Sequence, residues 1–383
     1  MANTTSVNNN YPLPLAPERP SRQREFLSGG INLRSGELHH KALTKILQEI
    51  IVPPQRYQFY PYPQVEHEHA AKILGINSSS IYFTPGSDIA IGLLLRLIAC
   101  TTKRLIIPIP NYFGWIDHAN LNQIDILPIY FDDQCAENFC IKTLLEIIQA
   151  TPPSIVAISN PNSPTGIEFD NNTLLEISHY CAKHGHLLVI DECFIAFGSI
   201  NHLELLGQPE HIIYVRSFSK GYGLAGARIA AIIASSAIID ILSQERTESA
   251  ISGSTWTLLQ RILAKKEHFQ KICQSIIQTR EYVIEIIMKL RPNWQILPSG
   301  ANFINVKTIG DHPAKLVETA ALGGFYIRDM SSQERMNGYT RIGIGELDLM
   351  VKFLKQIFPS EYYFDEQIYS KSITVNNDEK TVK

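Results

Sequence analysis

Short apolar runs alternate with amphipathic stretches over most of the chain. Five of the runs have the length and content of buried strands, and they lie at residues 105–109, 155–159, 187–191, 212–216 and 229–234. Runs without polar alternation are typical of strands that are covered on both faces, as in parallel sheets. Between two of them, residues 173–184 predict a helix, with Thr173 and Glu176 as its capping box. The pattern predicts an α/β fold with a mostly parallel sheet covered by helices.

The organisation changes in the last third of the chain. Residues 256–290 have helical periodicity, and shorter strands are predicted at 302–306 and 340–344. Because 383 residues exceed one ordinary hydrophobic core, we expect two domains. The predicted division is residues 1–24 (flexible arm), 45–248 (large domain with the mostly parallel sheet), 25–44 with 249–359 (smaller α+β domain) and 360–383 (disordered tail).

Charge and cysteine content narrow the classes of function. The formal net charge is −3 without charge blocks, which argues against nucleic acid or a membrane surface as the partner. No apolar run approaches the roughly 18 residues that span a bilayer, and the N-terminus lacks the apolar stretch of a signal peptide. The cysteines show neither a disulfide framework nor a metal-binding spacing, and they are Cys100, Cys135, Cys140, Cys181, Cys193 and Cys273. We expect a cytoplasmic protein with reduced thiols and no bound metal.

The segment around Lys220 has the composition of a cofactor site. It reads SFSKGYG over residues 217–223, with Arg228 eight positions after the lysine. A lysine that forms an imine with an aldehyde must be accessible and partly desolvated, and small neighbours leave room for the ligand. Ser217, Ser219 and Arg228 offer hydroxyls and a planar cation to a phosphate. An exposed turn is the alternative interpretation of this segment taken alone.

Two other apolar runs end in groups that suit a ligand. One run ends in Asp191, and in an open parallel sheet ligands bind at the carboxyl ends of the strands. A buried aspartate there needs a cationic partner, such as a protonated pyridine nitrogen. The other run enters the loop NPNSPTG at residues 160–166, a rigid backbone suited to close approach to a ligand.

In order and spacing, the three segments resemble the pyridoxal 5'-phosphate (PLP) enzymes of fold type I, the aspartate aminotransferase superfamily. The branch that looks most similar contains histidinol-phosphate aminotransferase and threonine-phosphate decarboxylase. The resemblance extends from about residue 24 to residue 358 and leaves both ends unmatched. It implies a PLP-dependent enzyme that acts on an α-amino acid, a small-molecule substrate, and forms a homodimer with shared active sites.

The resemblance also implies roles for the matching cofactor residues. Lys220 would carry the cofactor as the internal aldimine and then move the proton of the substrate α-carbon, and Asp191 would pair with the pyridine nitrogen. Tyr112 would stack on the ring, and Tyr60 would reach the phosphate of the neighbouring subunit. The residues that would hold the phosphate are Gly86, Ser87, Asp88, Ser217, Ser219 and Arg228.

Residues of the substrate pocket are implied in the same way. Arg341 would grip the substrate α-carboxylate, a task that suits a bidentate guanidinium, and Arg328 and Asn302 match further positions of the pocket. Glu37 stands where the family has an Asn-Glu-Asn-Pro stretch, and a carboxylate there would suit a cationic substrate side chain such as guanidinium. The histidines at 39 and 40 are candidates for general bases or for solvated loop residues.

Two positions depart from the family pattern. The family has an asparagine before Pro-Thr-Gly and a tyrosine three places after the aspartate, and both donate to the phenolic oxygen of the cofactor. This chain has Ser163 and Phe194 in those places. Because Phe194 cannot donate and Ser163 has a shorter reach, we predict that the internal aldimine stays protonated to a higher pH than in relatives with both donors.

Transamination is the expected chemistry, through external aldimine and ketimine on Lys220 to the keto acid. Two alternatives on the same scaffold stay open. One is elimination and ring closure of a hydroxylated arginine, and Phe194, Ser163 and Glu37 are compatible with such a cyclase. The other is decarboxylation, since threonine-phosphate decarboxylases also carry phenylalanine at the second departing position. A catalytically silent binding protein is disfavoured, because Lys220, Asp191, Arg228 and Arg341 are all present.

Overall fold

Three sheets make up the β-structure of the computed structural model, which describes residues 29–97, 99–132, 139–310 and 312–364. The strands are β1 (Ile31–Asn32), β2 (Ile81–Thr84), β3 (Arg104–Ile109), β4 (Asp125–Tyr130), β5 (Ile155–Ser159), β6 (Leu187–Asp191), β7 (Ile212–Ser217), β8 (Ala230–Ile233), β9 (Gln295–Ile296), β10 (Phe303–Lys307), β11 (Phe325–Tyr326), β12 (Arg328–Asp329) and β13 (Tyr339–Gly343). The largest sheet has the order β2-β8-β7-β6-β5-β3-β4, the second β12-β13-β10-β9, and β1 pairs with β11. In the largest sheet β8 is antiparallel to both neighbours and the other pairings are parallel, which confirms the predicted mostly parallel sheet.

Helices cover both faces of the seven-stranded sheet. The α-helices of the described residues are α1 (Lys41–Gln48), α2 (Gln55–Gln58), α3 (Pro63–Leu74), α4 (Ser87–Leu97), α5 (Ala99–Thr102), α6 (Phe113–Leu121), α7 (Ile141–Ala150), α8 (Asn171–His184), α9 (His202–Leu206), α10 (Ser236–Ser243), α11 (Gly253–Leu263), α12 (Lys266–Leu290), α13 (Pro313–Leu322) and α14 (Leu347–Ile357). Leu188 and Ile190 of β6 pack in one apolar cluster and Val189 in the other, so the core has a layer on each face. This explains why the strands are continuous apolar runs. None of the described helices has the length and apolar content to cross a bilayer.

Two predicted helical regions differ in detail from the helices that the structure contains. α8 begins at Asn171, two residues before its predicted start at Thr173, because Asp170 is the N-cap and its Oδ1 accepts from the Thr173 N–H at 2.8 Å. Aspartate at this position satisfies an N–H that the first helical turn leaves unpaired. The predicted helical region 256–290 is confirmed and consists of two helices, since α11 ends at Leu263 and α12 begins at Lys266.

The predictions also cover both ends of the chain. The predicted arm, residues 1–24, lies outside the described residues, as does the tail beyond residue 364. The predicted start of the disordered tail at residue 360 is wrong, because Tyr362 is buried and its hydroxyl is 2.8 Å from that of Tyr282 on α12. The domain boundaries proposed from the sequence stay a prediction.

Candidate active site

The predicted site residues meet at one edge of the seven-stranded sheet. β5, β6 and β7 are parallel, so their carboxyl ends share that edge, where Asp191 ends β6 and Ser217 ends β7. The antiparallel β8 begins at the same edge, because its first residue, Ala230, pairs with Ser217 on one side and with Thr84 of β2 on the other. The register therefore brings together loops that are far apart in the sequence.

A cradle for an anion lies where β2, β7 and β8 meet. Gly86 has a φ of +98° and precedes α4, which begins at Ser87. A Cβ atom on Gly86 would lie 2.6 Å from Arg228 Nη2, so glycine is what allows the guanidinium to approach this backbone. On the β7 side, Ser217 Oγ accepts from the Ser219 N–H at 3.2 Å. Helix N-terminal N–H groups, hydroxyls and a guanidinium together fit a phosphate.

Lys220 is half-buried on the turn that follows β7. Its Nζ donates to the Ser35 carbonyl at 2.5 Å and lies 5.6 Å from the centroid of the Phe194 ring. The adjacent Gly221 has no room for a side chain, since a Cβ there would be 2.2 Å from Ala196 Cβ. The absence of a side chain at Gly221 therefore allows Ala196 to pack closely beside Lys220.

Asp191 is buried, and both of its carboxylate oxygens accept hydrogen bonds. Trp115 Nε1 donates to Oδ2 and the Cys193 N–H to Oδ1, each at 3.1 Å. Burial raises the pKa of Asp191, and the hydrogen bonds from Cys193 and Trp115 oppose that rise. A protonated ring nitrogen beside this carboxyl would favour its ionised form. The sequence analysis missed Trp115, because it lies 76 positions away from the aspartate.

Tyr112 is held in place by a chain of polar side chains. Its hydroxyl donates to Asp88 Oδ1 at 3.2 Å, and Asp88 Oδ2 is 3.5 Å from His118 Nε2. The hydrogen bond from His118 holds the pKa of Asp88 below its usual range, and burial raises the pKa of Tyr112. A Cβ on Gly114 would be 2.4 Å from Tyr112 Cε1, so the ring lies directly on this glycine. The Asp88 side chain thus supports the predicted stacking residue, and His118 is a further residue that the sequence analysis missed.

The two departing positions lie on loops after β5 and β6. Phe194 is buried and packs edge-on against Phe303, with ring centroids 5.2 Å apart. The loop that contains Ser163 is held by Asn305, whose Nδ2 donates to the carbonyls of residues 164 and 165 at 2.9 and 2.8 Å. The Phe194 ring therefore presents no hydrogen-bond donor beside Lys220.

Arg341 reaches this region from β13 of the four-stranded sheet. It is only 8% exposed, its Nη2 donates to the Arg34 carbonyl, and its guanidinium carbon lies 5.0 Å from the Phe303 centroid. Burial lowers the pKa of Arg341 and nearby Arg328 adds to that effect, whereas Glu37 opposes it. A buried guanidinium with arginine neighbours is a site for an anion.

The N-terminal segment brings Glu37 and two histidines near the same region. The Glu37 carboxylate accepts from Asn32 Nδ2, at 3.3 and 3.2 Å for its two oxygens. His39 Nε2 lies 2.7 Å from the Asn32 carbonyl, and His40 Nδ1 accepts from the Ala42 N–H at 3.1 Å, which caps α1. His39 therefore contacts a backbone carbonyl, whereas His40 caps α1 and also lies 3.1 Å from Ser275 Oγ through its Nε2.

Tyr60 is separate from the other predicted residues. Its side chain is 96% exposed after α2, in a segment of exposed apolar side chains that also includes Tyr57, Phe59, Tyr62 and Val65. A contiguous exposed apolar patch of this kind marks an interaction surface. Within the described ranges, no group of three or more His, Cys, Asp or Glu side chains is arranged to hold a metal ion.

Comparisons with known proteins show the family and the fold of the chain. The family model described as aminotransferase class I and II matches residues 28–345. "Histidinol-phosphate aminotransferase 2" of Archaeoglobus fulgidus is 26% identical over 337 residues, which cover 85% of this chain and 93% of the relative. The structure of histidinol-phosphate aminotransferase from Sinorhizobium meliloti in complex with pyridoxal-5'-phosphate has a TM-score of 0.71 at 18% identity, and it covers 90% of this chain and 91% of its own. L-threonine-O-3-phosphate decarboxylase from Porphyromonas gingivalis has a TM-score of 0.69 at 18% identity, with 86% and 98% covered.

Proposed function

We propose that this chain, which belongs to the class I and II aminotransferase family and has pyridoxal 5'-phosphate as its cofactor, transfers the α-amino group of an amino acid to the cofactor and releases the keto acid. The observation that carries the proposal is the convergence of Lys220, Asp191 and Arg341 from three parts of the fold. An amine, a buried carboxylate and a buried guanidinium are the groups that an amino acid and a pyridine cofactor require.

The cofactor fits the groups at the sheet edge. When bound, pyridoxal 5'-phosphate links to amines through its aldehyde, and its ring takes up the electron pair released at the substrate α-carbon. Asp191 would hold the proton of the ring nitrogen, and Trp115 donates to that carboxylate and so orients it. Tyr112 would cover the ring, and the cradle of Gly86, Ser87, Ser217, Ser219 and Arg228 would hold the phosphate.

The substrate binds between Lys220 and Arg341. Its α-carboxylate displaces the Arg34 carbonyl from Arg341, because a charged acceptor binds a guanidinium more strongly than a neutral one. This places the α-carbon beside Lys220, whose amine takes the α-proton. Arg328 and Asn302 border the same space.

Two copies of the chain would form the complete enzyme. Tyr60 of each copy would reach the phosphate cradle of the other, which is supported by its 96% exposure within an apolar segment. Arg228, on the exposed side of the cradle, lies where such a contact could form. The free thiols of Cys140, Cys181, Cys193 and Cys273 suit a reducing, cytoplasmic location.

A second candidate is a reaction that does not end in transamination. The donor-free ring of Phe194 beside Lys220 favours it, and Glu37 near Arg341 would select a cationic side chain such as the guanidinium of a hydroxylated arginine. With such a substrate the chain would act as a cyclase that eliminates water and closes a ring. If the substrate lost its carboxylate instead, the chain would act as a decarboxylase.

Substitution of Phe194 by tyrosine tests how this position controls the cofactor. The new hydroxyl would donate to the cofactor's phenolic oxygen, so the pH midpoint of the visible absorption band should fall in Phe194→Tyr relative to the wild type. A spectral titration of both proteins measures it, with thermal melting as the control for folding. Equal midpoints, or a wild-type midpoint already well below neutral pH, would contradict the predicted role.

One experiment separates the candidate reactions. The absorption of the cofactor-loaded protein is recorded between about 300 and 500 nm during addition of single amino acids, including arginine and its hydroxylated forms, and products are followed by mass. Transamination predicts conversion to the amine form of the cofactor, with a keto acid released. A spectrum that returns to its start, with loss of water or carbon dioxide from the substrate, establishes the second candidate. No response to any amino acid would overturn both.

A further inference from the structure

The exposed segment that carries Tyr60 is joined at its two ends by an ion pair. Residues 57–65, which we call the Tyr60 segment, contain no charged residue, and all of their aromatic side chains are exposed. Arg56 comes directly before the segment and Glu66 directly after it, and Arg56 Nη1 is 2.6 Å from Glu66 Oε1. Because Glu66 is buried, water screens this pair less than it screens a surface ion pair. The ends of the Tyr60 segment are therefore held together by a partly desolvated charge interaction.

One face of α11 supports this ion pair. Arg56 Nε donates to the Gly253 carbonyl at 3.1 Å and to Thr257 Oγ1 at 2.9 Å. Gln260 Nε2 donates to Glu66 Oε2 at 2.7 Å. Positions 253, 257 and 260 follow the spacing of one helix face, and a Cβ atom on Gly253 would overlap the Arg56 carbonyl oxygen. Both ends of the Tyr60 segment are thus fixed directly on α11.

The same helix also supports the phosphate cradle of its own chain. Thr255 Oγ1 donates to the Ala227 carbonyl at 3.0 Å, and Ala227 directly precedes Arg228 of the cradle. In a dimer with a two-fold axis both copies use the same surface, so a segment that one copy offers and the site that receives it belong to one patch. The common support on α11 therefore favours a second copy of this chain as the partner of the Tyr60 segment.

We propose that Arg56 and Glu66 are positioning residues that hold the Tyr60 segment in the shape in which Tyr60 reaches the phosphate of the other copy. The inference rests on the proposed function, which places Tyr60 at that phosphate. None of the groups that hold the ion pair binds cofactor or substrate in the proposed site, so these contacts persist in the cofactor-loaded enzyme. A segment that is ordered before the two copies meet also loses less conformational entropy on association.

The test compares the affinity of the protein for pyridoxal 5'-phosphate with its affinity for pyridoxal, which lacks only the phosphate. Each affinity is taken from the visible band that forms when the compound is added to cofactor-free protein, at a concentration at which sedimentation shows the dimer. The ratio of the two affinities reports contacts to the phosphate, whereas a general loss of stability lowers both affinities. Glu66→Gln keeps the size of the side chain and removes its charge, and Tyr60→Phe removes only the hydroxyl.

We expect the ratio to fall about tenfold in Tyr60→Phe and roughly threefold in Glu66→Gln, because a hydrogen bond to a charged group is lost in one variant and misaligned in the other. When Glu66→Gln is added to Tyr60→Phe, the ratio should fall no further, since the effect passes through the Tyr60 hydroxyl. Glu361→Gln is the matched control. It removes an ion pair that Arg291 makes between α12 and the segment after α14, and it should leave the ratio unchanged.

An unchanged ratio in Glu66→Gln beside a fall in Tyr60→Phe would overturn the inference and leave the shared site intact. A further fall in the double variant would overturn it as well. If Glu66→Gln does not fold, Gly253→Ala decides, since its Cβ displaces the segment at Arg56 while the ion pair is retained, and its ratio should also fall. An unchanged ratio in Tyr60→Phe, or a wild type that sediments as a monomer, would refute the shared site and the inference together. A wild type that forms no visible band would refute the proposed function and the inference with it.

Discussion

Alanine in place of Lys220 should remove the visible band of the protein-linked cofactor and slow amino-acid turnover by at least about 10²–10⁴-fold, the usual cost of losing an acid–base group. The reason is that Lys220 Nζ supplies both the amine that binds the cofactor aldehyde and the base for the α-proton. Absorption spectra and single-turnover rates with amino acids measure the two effects. Added ethylamine should restore part of the rate, because a free amine can replace the missing base.

Lys142→Ala is the matched control for this prediction. Lys142 is 83% exposed on α7, and its partner within the described residues is Glu146 on the same helix. Its loss should change neither the band nor the rate. Retention of the visible band in Lys220→Ala would show that another amine binds the cofactor, and the assignment of the site would then be wrong.

Asparagine in place of Asp191 should lower turnover by about 10²–10³-fold, a typical cost of removing one preorganised electrostatic partner. The amide has the same shape but carries no charge, so it cannot hold the proton of the cofactor's ring nitrogen. Cofactor affinity by fluorescence and turnover by product mass separate loss of binding from loss of chemistry. Wild-type turnover in Asp191→Asn would refute the pairing.

The Trp115→Phe variant tests the role of the Asp191 charge without removing it. It removes one hydrogen-bond donor to the Asp191 carboxylate and leaves the carboxylate in place. The hydrogen bond from Trp115 lowers the pKa of Asp191, so its loss should raise that pKa further. The ionised form would then be lost at a higher pH, and the acidic limb of the activity profile should move upward. An acidic limb that stays in place would show that Asp191 does not control it.

Residues at the ends of strands were predictable because their signals are local. Asp191 terminates a continuous apolar run, and Lys220 is followed by glycines within a few positions. The parallel order of the strands then brings such ends to one edge whatever the details of packing. The sequence alone therefore predicts that Asp191 and Lys220 lie at the same edge of the sheet.

The missed residues depend on contacts between distant parts of the chain. Trp115 and His118 face the site from α6, where their spacing also fits an ordinary buried helix face. The histidines at 39 and 40 looked like possible bases, yet packing turns them to backbone groups and, for His40, also to Ser275. A side chain's partner in another element has no signature in its own neighbourhood, so periodicity cannot reveal it.

By itself the sequence determined the α/β class, the strand ends and the groups suited to a cofactor, because apolar periodicity and residue type act over a few positions. The tertiary structure alone decided which distant groups share the site. The clearest case is the turn at 34–36, where the hydrogen bonds to Lys220, Asn302 and Arg341 span 185, 266 and 307 positions. Such contacts form only when two sheets pack together, and that packing is a property of the whole chain.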